Sequence, residues 1–285
     1  MAYEDSGPDD ALPVLLLHGF PYDVRGYDDA VGLINAAGYR TIVPYLRGYG
    51  PTRFLSPDTL RSGQQAALGQ DLRDLMDALG IEKAVLSGYD WGGRAACVVS
   101  ALWPGRVAGL VSCTGYNIQD IPHAPRPADP EQEARMWYVW YFHTERGRNG
   151  LTQNRAALAK LLWQMWSPNW AFDDATFERS ADAFDNDDFV DVVIHSYRHR
   201  TGSVSGDPRY LLSETRLAAQ PAIDVPTIAL HGTDDNVTPV QGSETHGHRF
   251  TSHYERRVLP GVGHNAPQES PREFADAVIE LCRRM

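Results

Sequence analysis

Short unbroken apolar runs, each closed by a polar or glycine-rich loop, recur along the chain and set its architecture. Pro13-Val-Leu-Leu-Leu17 ends at His18-Gly19, and Arg40-Thr-Ile-Val-Pro44, Ala84-Val-Leu-Ser87, Val107 to Ser112, Thr227 to Leu230 and Arg257-Val-Leu-Pro260 take the same form. Brief runs without polar alternation suit strands buried on both faces, so a parallel sheet is predicted. Between them the period changes. Asp28 to Ala37 reads as a helix stopped by Gly38, and Gln70 to Leu79 sets Leu72, Leu75, Met76 and Leu79 on one stripe before Gly80. Ser270 to Arg283 reads as the last helix. Strands alternating with helices predict an α/β chain with a mostly parallel central sheet flanked by helices. The first buried strand begins only about a dozen residues from Met1, so antiparallel strands ahead of it are expected to be short or missing.

The pattern breaks between Pro122 and Pro130, where four prolines interrupt any regular element. From there to about Glu214, helical periodicity replaces the strand runs, as in Arg135 to Glu145 and Ala156 to Trp166, and Trp, Tyr and Phe become frequent. The sheet pattern resumes at Ile223 to Leu230. The expected organisation is one core domain, residues 1–130 and 215–285, carrying an inserted helical lid over residues 131–214. No internal repeat or low-complexity segment is visible.

Composition narrows the function classes. A chain of 285 residues with 42% hydrophobic and 22% charged residues suits one well-filled domain. A net charge of -11, with Lys83 and Lys160 as the only lysines, argues against nucleic-acid binding, which needs clustered cations. Cys97, Cys113 and Cys282 are widely spaced without a CxxC pair, which implies neither a disulfide framework nor a zinc site. The first ten residues lack a basic region and an apolar core, and no apolar run has the length of a bilayer span. A soluble cytoplasmic monomer or homodimer, free of membrane association, is therefore expected.

One pentapeptide carries the chemistry. Gly88-Tyr89-Asp90-Trp91-Gly92 lies between the apolar run ending at Ser87 and a small-residue helical stretch, the strand, sharp turn and helix context of a nucleophile elbow. Its glycines let helix and strand approach closely and leave the central side chain exposed above the sheet edge. An aspartate there is already ionised at neutral pH and can attack a carbon directly, so displacement at a saturated carbon is expected and not acyl transfer. The ester so formed needs a base to activate water. His264, in Gly261-Val-Gly-His264-Asn-Ala-Pro267 after the last strand, supplies one. A histidine base needs an anionic partner, which His231-Gly-Thr-Asp-Asp235-Asn-Val-Thr-Pro239 offers at Asp235, with Asp234 as the alternative. The oxyanion formed on ester hydrolysis needs backbone donors, assigned to the amides of Trp91 and of Phe20 in His18-Gly-Phe20-Pro21.

Together these motifs resemble the α/β-hydrolase fold, and within it the soluble epoxide hydrolases, over nearly the whole chain. The residues that carry the resemblance are His18-Gly-Phe-Pro21, Arg47-Gly-Tyr-Gly50, Gly88-Tyr-Asp-Trp-Gly92, the acid loop at Asp235 and the histidine loop at His264. The resemblance implies two lid tyrosines that hydrogen-bond the epoxide oxygen. One lies in a Tyr-x-x-Tyr-Phe segment, matching Tyr138-Val-Trp-Tyr141-Phe142, and the other in a Tyr-Arg dipeptide, matching Tyr197-Arg198. The roles fall to Tyr138 and Tyr197, with Tyr141 as substitute for the first. The chain departs from the family at Val139, at His195-Ser196 and at Tyr45, where the family usually has aspartate. Phe20, Trp91, Tyr141 and Phe142 are expected to line the pocket, while Trp163, Trp166 and Trp170 fill the lid or line it.

The implied reaction opens a small, mostly apolar epoxide to a vicinal diol with water, without metal or organic cofactor. Two alternatives share part of the pattern. Haloacetate dehalogenases usually carry Asp-Arg-x-x-Arg at the elbow, whereas here Trp91 replaces the first arginine and only Arg94 remains. Haloalkane dehalogenases place a tryptophan after the nucleophile, as here, but often an Asn or Glu where Phe20 stands. A non-catalytic binding protein on the same fold is the third reading, disfavoured because nucleophile, acid and base are all present.

Overall fold

The computed structural model describes residues 1–285. Seven strands form one sheet: β1 (Tyr3–Ser6), β2 (Pro13–Leu17), β3 (Arg40–Pro44), β4 (Ala84–Gly88), β5 (Val107–Cys113), β6 (Thr227–Gly232) and β7 (Tyr254–Leu259). Their order is β1-β3-β2-β4-β5-β6-β7, and every pair is parallel except β1 with β3. The parallel strands β4, β5 and β6 are buried along their whole length, which is why their sequences read as unbroken apolar runs.

The antiparallel edge is short but present. Tyr3 pairs with Pro44 and Ser6 with Thr41, and all four residues of β1 are exposed. Tyr-Glu-Asp-Ser has no apolar pattern to announce a strand, and backbone pairing together with the Arg40 to Asp5 ion pair holds it in place.

Helices α1 (Asp28–Ala36), α2 (Gln65–Ala78) and α3 (Asp90–Leu102) follow β2, β3 and β4. The chain from β5 to β6 is helical: α4 (Pro130–Arg135), α5 (Trp137–His143), α6 (Glu145–Trp166), α7 (Asp174–Ala181), α8 (Phe189–His199) and α9 (Leu211–Ala218). The stretch expected as one helix from Arg135 to Glu145 is broken. Asp129 caps α4 by accepting from the amides of Glu131 and Gln132, Pro130 opens it, and Met136 leaves helical geometry at ψ 19° before α5 begins. Helix α6 bends at Asn154, whose φ of -127° interrupts the helical ladder. After β7, α10 (Ala266–Glu269) and α11 (Pro271–Arg283) close the chain, with Phe274, Ala275, Val278 and Leu281 of α11 facing the core. No helix is long and apolar enough to cross a membrane.

Candidate active site

Asp90 begins α3 directly after β4, and its backbone adopts φ 49°, a left-handed conformation that a non-glycine residue takes only at a cost. The glycines around it leave no room for side chains. A Cβ on Gly92 would lie 1.9 Å from the Leu17 carbonyl oxygen, and one on Gly19 would lie 2.5 Å from the Asp90 Cβ. The tight turn thus lifts Asp90 to the strand ends and seats β2 against α3.

The Phe20 amide donates to Asp90 Oδ1 at 2.8 Å. Trp91, the second residue of α3, has no intrahelical partner for its N–H by position, and the helix N-terminus favours negative charge beside it. The loop that carries Phe20 is braced from two sides. Neutral His18, whose pKa burial pushes down to about 4, donates from Nδ1 to the Gly19 carbonyl at 3.0 Å and accepts at Nε2 from the Leu46 amide at 3.1 Å. The indole of Trp163 in α6 donates to the Pro21 carbonyl at 2.7 Å. Arg47 of the Arg-Gly-Tyr-Gly turn, by contrast, forks onto Asp71 of α2 at 2.6 Å, while Tyr49 packs edge-on against His18.

His264 presents Nε2 to Asp90 Oδ2 at 3.7 Å and binds Asp235 Oδ2 through Nδ1 at 2.9 Å. Asp235 is fixed in turn, accepting at Oδ1 from the amides of Val237 and Thr238 at 2.8 and 3.0 Å. The alternative acid, Asp234, turns away to Thr233 and Asn169. Burial opposes charge on His264, but Asp235 and Asp90 together outweigh it and hold its pKa above the ordinary value. Burial likewise opposes charge on Asp90, yet His264, Arg94 and the Phe20 amide keep its carboxyl below the usual range. The Asp90 carboxyl is therefore ionised at neutral pH.

Two groups that sequence inspection passed over anchor the histidine loop. Glu269 accepts from the amides of Gly263 at 2.6 Å and Asn265 at 2.9 Å, and Ser167 links Glu269 to the His264 amide. Glu269 stands five residues beyond His264 and Ser167 just beyond α6, so nothing local joins them.

Tyr138 and Tyr197 pack edge to face with ring centroids 5.5 Å apart, and Tyr197 lies 5.3 Å from the Phe20 ring. Burial raises both phenol pKa values, so both are protonated donors at neutral pH. Tyr138 donates to the weak acceptor Met136 Sδ at 3.4 Å. Tyr141 is directed elsewhere, against Trp137 and Gly150. Arg198 also faces away, donating to the Phe142 carbonyl and pairing with Glu145.

A cavity of about 220 Å³ opens over Asp90 and His264. Its walls differ from the aromatic lining expected. Phe20, Trp91 and Phe142 are buried at 1%, 0% and 0% exposure and pack into the core behind it, and Trp163 stacks on Tyr22. None of these four lines the cavity, nor does Tyr141, and Tyr197 is buried just behind the wall that Tyr138 and Arg200 form. Only three of its twelve lining residues are hydrophobic, and Arg94, Asn117, Gln132 and Arg200 stand among the rest. Aromatic density in the inserted helices thus serves packing more than lining, because large rings gain most where they leave water entirely. Arg200 had one sequence signal: it follows Tyr197 by three residues and so shares its helical face. No cluster of three or more His, Cys, Asp or Glu side chains suited to a metal ion is formed.

These features agree with what the chain is similar to. The family model described as the alpha/beta hydrolase fold matches residues 13–271. Epoxide hydrolase A of Mycobacterium tuberculosis is 25% identical over 97% of this chain and 92% of its own. A solved structure from Klebsiella pneumoniae, provisionally described as an epoxide hydrolase, is 48% identical with TM-score 0.96, covering 99% of this chain and 93% of that one. A haloalkane dehalogenase variant from Bradyrhizobium elkanii shares the fold at TM-score 0.76 and 22% identity, over 99% of this chain and 92% of its own. With that model spanning nearly all of the seven-stranded sheet and the turn that bears Asp90, the chain belongs to the α/β-hydrolase family and is a hydrolase.

Proposed function

We propose that the protein hydrolyses epoxides to vicinal diols through an ester on Asp90. The observation that carries this reading is an ionised carboxylate on the elbow, with His264 3.7 Å away and two protonated phenols nearby, Tyr138 in the cavity wall and Tyr197 packed against it. Its Oδ1 is occupied by the Phe20 amide, which leaves Oδ2 to attack. Oδ2 bonds to an epoxide carbon, the carbon–oxygen ring bond breaks, and Tyr197 passes its proton to the ring oxygen while Tyr138 hydrogen-bonds it. The product of this step is a hydroxyalkyl ester. Loss of the Asp90 charge removes one of the two anions that hold His264 protonated, so in the ester its imidazole gives up that proton to solvent and becomes the base, regaining one from solvent when Asp90 is freed at the end of the cycle. His264 then takes a proton from water, and the hydroxide adds to Asp90 Cγ. The oxyanion faces the amides of Phe20 and Trp91. Collapse expels the alkoxide, which takes the proton from His264, and the proton lost as Asp90 ionises again restores the Tyr197 phenol.

In this reading residues 131–214 act as a cap that brings Tyr138 and Tyr197 over a core of residues 1–130 and 215–285. A second reading, halide displacement, has one observation in its favour: the buried indole N–H of Trp91 has no partner. The test separates the two. His264→Gln protein incubated with a small epoxide should accumulate an adduct of the substrate's mass, and the unaltered protein should yield diol. Halide from bromoalkanes without diol from any epoxide overturns the proposal.

A further inference from the structure

We propose that the cavity over Asp90 holds a carboxylate of the substrate between Arg94 and Arg200, so that the protein acts on small epoxy acids. This inference rests on the epoxide-opening reading and adds the substrate class.

Arg94 is 6% exposed and lines the cavity four residues beyond Asp90. None of its five N–H groups reaches an acceptor in the chain, its Nε is buried without a partner, and no carboxylate lies within ion-pair distance. A buried guanidinium with neither ion pair nor hydrogen bond is costly, so a fold that retains one has a use for it. A second cation stands beside it. Arg200, just past α8 at the cavity wall, packs over the Tyr197 ring at 5.2 Å and has no ion-pair partner. With the Gln119 carboxamide oxygen turned toward it, that oxygen accepts from Nε at 2.7 Å and Nη2 at 3.0 Å, a neutral contact that leaves the charge uncompensated. Burial first and the Arg200 charge second depress the Arg94 pKa to about 10, as two facing cations should. Asp90 is the only acidic residue of the lining.

Alkylation sharpens this imbalance. Once Asp90 is an ester its negative charge is gone, and the two guanidinium groups face a cavity whose lining has lost its one carboxylate. A carboxylate carried by the substrate supplies the missing charge at that step, and its planar pair of oxygens suits the guanidinium fork. The volume of about 220 Å³ admits only a short acid. The remaining polar walls, Thr114, Asn117, Gln132 and Thr238, can bind a carboxylate or a hydroxyl but offer no competing charge.

The test compares trans-2,3-epoxybutanoate with its primary amide, which has nearly the same shape and no charge. Diol formation from the acid should exceed that from the amide by at least about tenfold in kcat/KM, the scale of a hydrogen-bonded charge. Arg94→Gln and Arg200→Gln should each bring that ratio toward one, and Arg94→Lys should keep part of it. If Arg94→Gln does not fold, the half-buried Arg200 carries the comparison. Equal rates for acid and amide, or an unchanged ratio in folded variants, overturn the carboxylate site and leave epoxide opening standing. The converse is separable by calorimetry with butanoate and butanamide on Asp90→Asn protein. Butanoate binding that Arg94→Gln abolishes, without diol from either epoxide, supports the anion site and overturns epoxide opening. Neither binding nor diol overturns both.

Discussion

Replacement of Asp23 by asparagine should make the protein more stable at neutral and alkaline pH and leave it little changed in acid. Asp23 follows the loop that carries Phe20 and is 2% exposed. Its Oδ1 accepts from the Arg25 amide at 3.1 Å and from the Ser180 hydroxyl of α7 at 2.6 Å, so it ties the inserted helices to the loop. No cation forms an ion pair with it. Burial lifts its pKa from the ordinary 3.8 to about 7, the two hydrogen bonds only partly offsetting the loss of solvation. The folded protein therefore binds a proton that the unfolded chain has released between those two values, and stability falls as pH rises through that window. A gap of about three units in pKa, at about 1.4 kcal/mol each, amounts to about 4 kcal/mol above pH ~8. Asparagine keeps the acceptor oxygen for both partners and carries no charge at any pH. Urea unfolding at pH 4, 6 and 8 and constant ionic strength measures the difference between Asp23→Asn and the unaltered protein. It should grow from acid to alkaline pH by a few kcal/mol, on top of a fixed offset for burying the amide N–H₂. A difference independent of pH would refute the argument, because it would mean that Asp23 is not held protonated by burial.

Tyr197→Phe removes the proposed proton donor but keeps the ring that packs on Phe20 and Tyr138. Rapid-quench measurement should find alkylation of Asp90 slowed by roughly 10 to 100-fold, the loss of one hydrogen bond to developing charge, with ester breakdown little affected. A slower ester breakdown with unchanged alkylation would remove Tyr197 from that role. Gly92→Ala should yield little folded protein, since its Cβ would meet the Leu17 and His18 backbone, which cannot give way. Gly32→Ala in α1, where a Cβ meets nothing within 4 Å, should instead raise thermal stability by up to about 1 kcal/mol. Equal effects of the two substitutions on folding yield would contradict the packing described.

The central sheet was legible because its inner parallel strands are local apolar runs, buried on both faces, and β2 to β6 appear where those runs lie, whereas the edge strand β7, Tyr-Glu-Arg-Arg-Val-Leu, is only partly buried and begins three residues before the run at Arg257. Strand β1 was not, since its four exposed residues are held by pairing with β3 and not by their own pattern. The inserted helices were readable as helical but not in their breaks, which depend on Asp129 capping α4 and on the local geometry of Met136 and Asn154.

The same division runs through the site. The elbow, the histidine loop and the acid loop were determined by the sequence alone, because each is a turn of a few residues whose glycines and position after a strand carry the geometry with them. Which acid turns to His264, which tyrosine of Tyr138 and Tyr141 faces Asp90, and that Glu269 and Ser167 hold the histidine loop were decided only by tertiary structure. So was the character of the cavity. Composition suggested apolar aromatic walls, yet packing drew Phe20, Trp91 and Phe142 into the core and left Arg94 and Arg200 facing Asp90. The physical reason is that a turn is specified by neighbours in the chain, whereas the lining of a cavity is what remains after every large side chain has found the burial that stabilises it most.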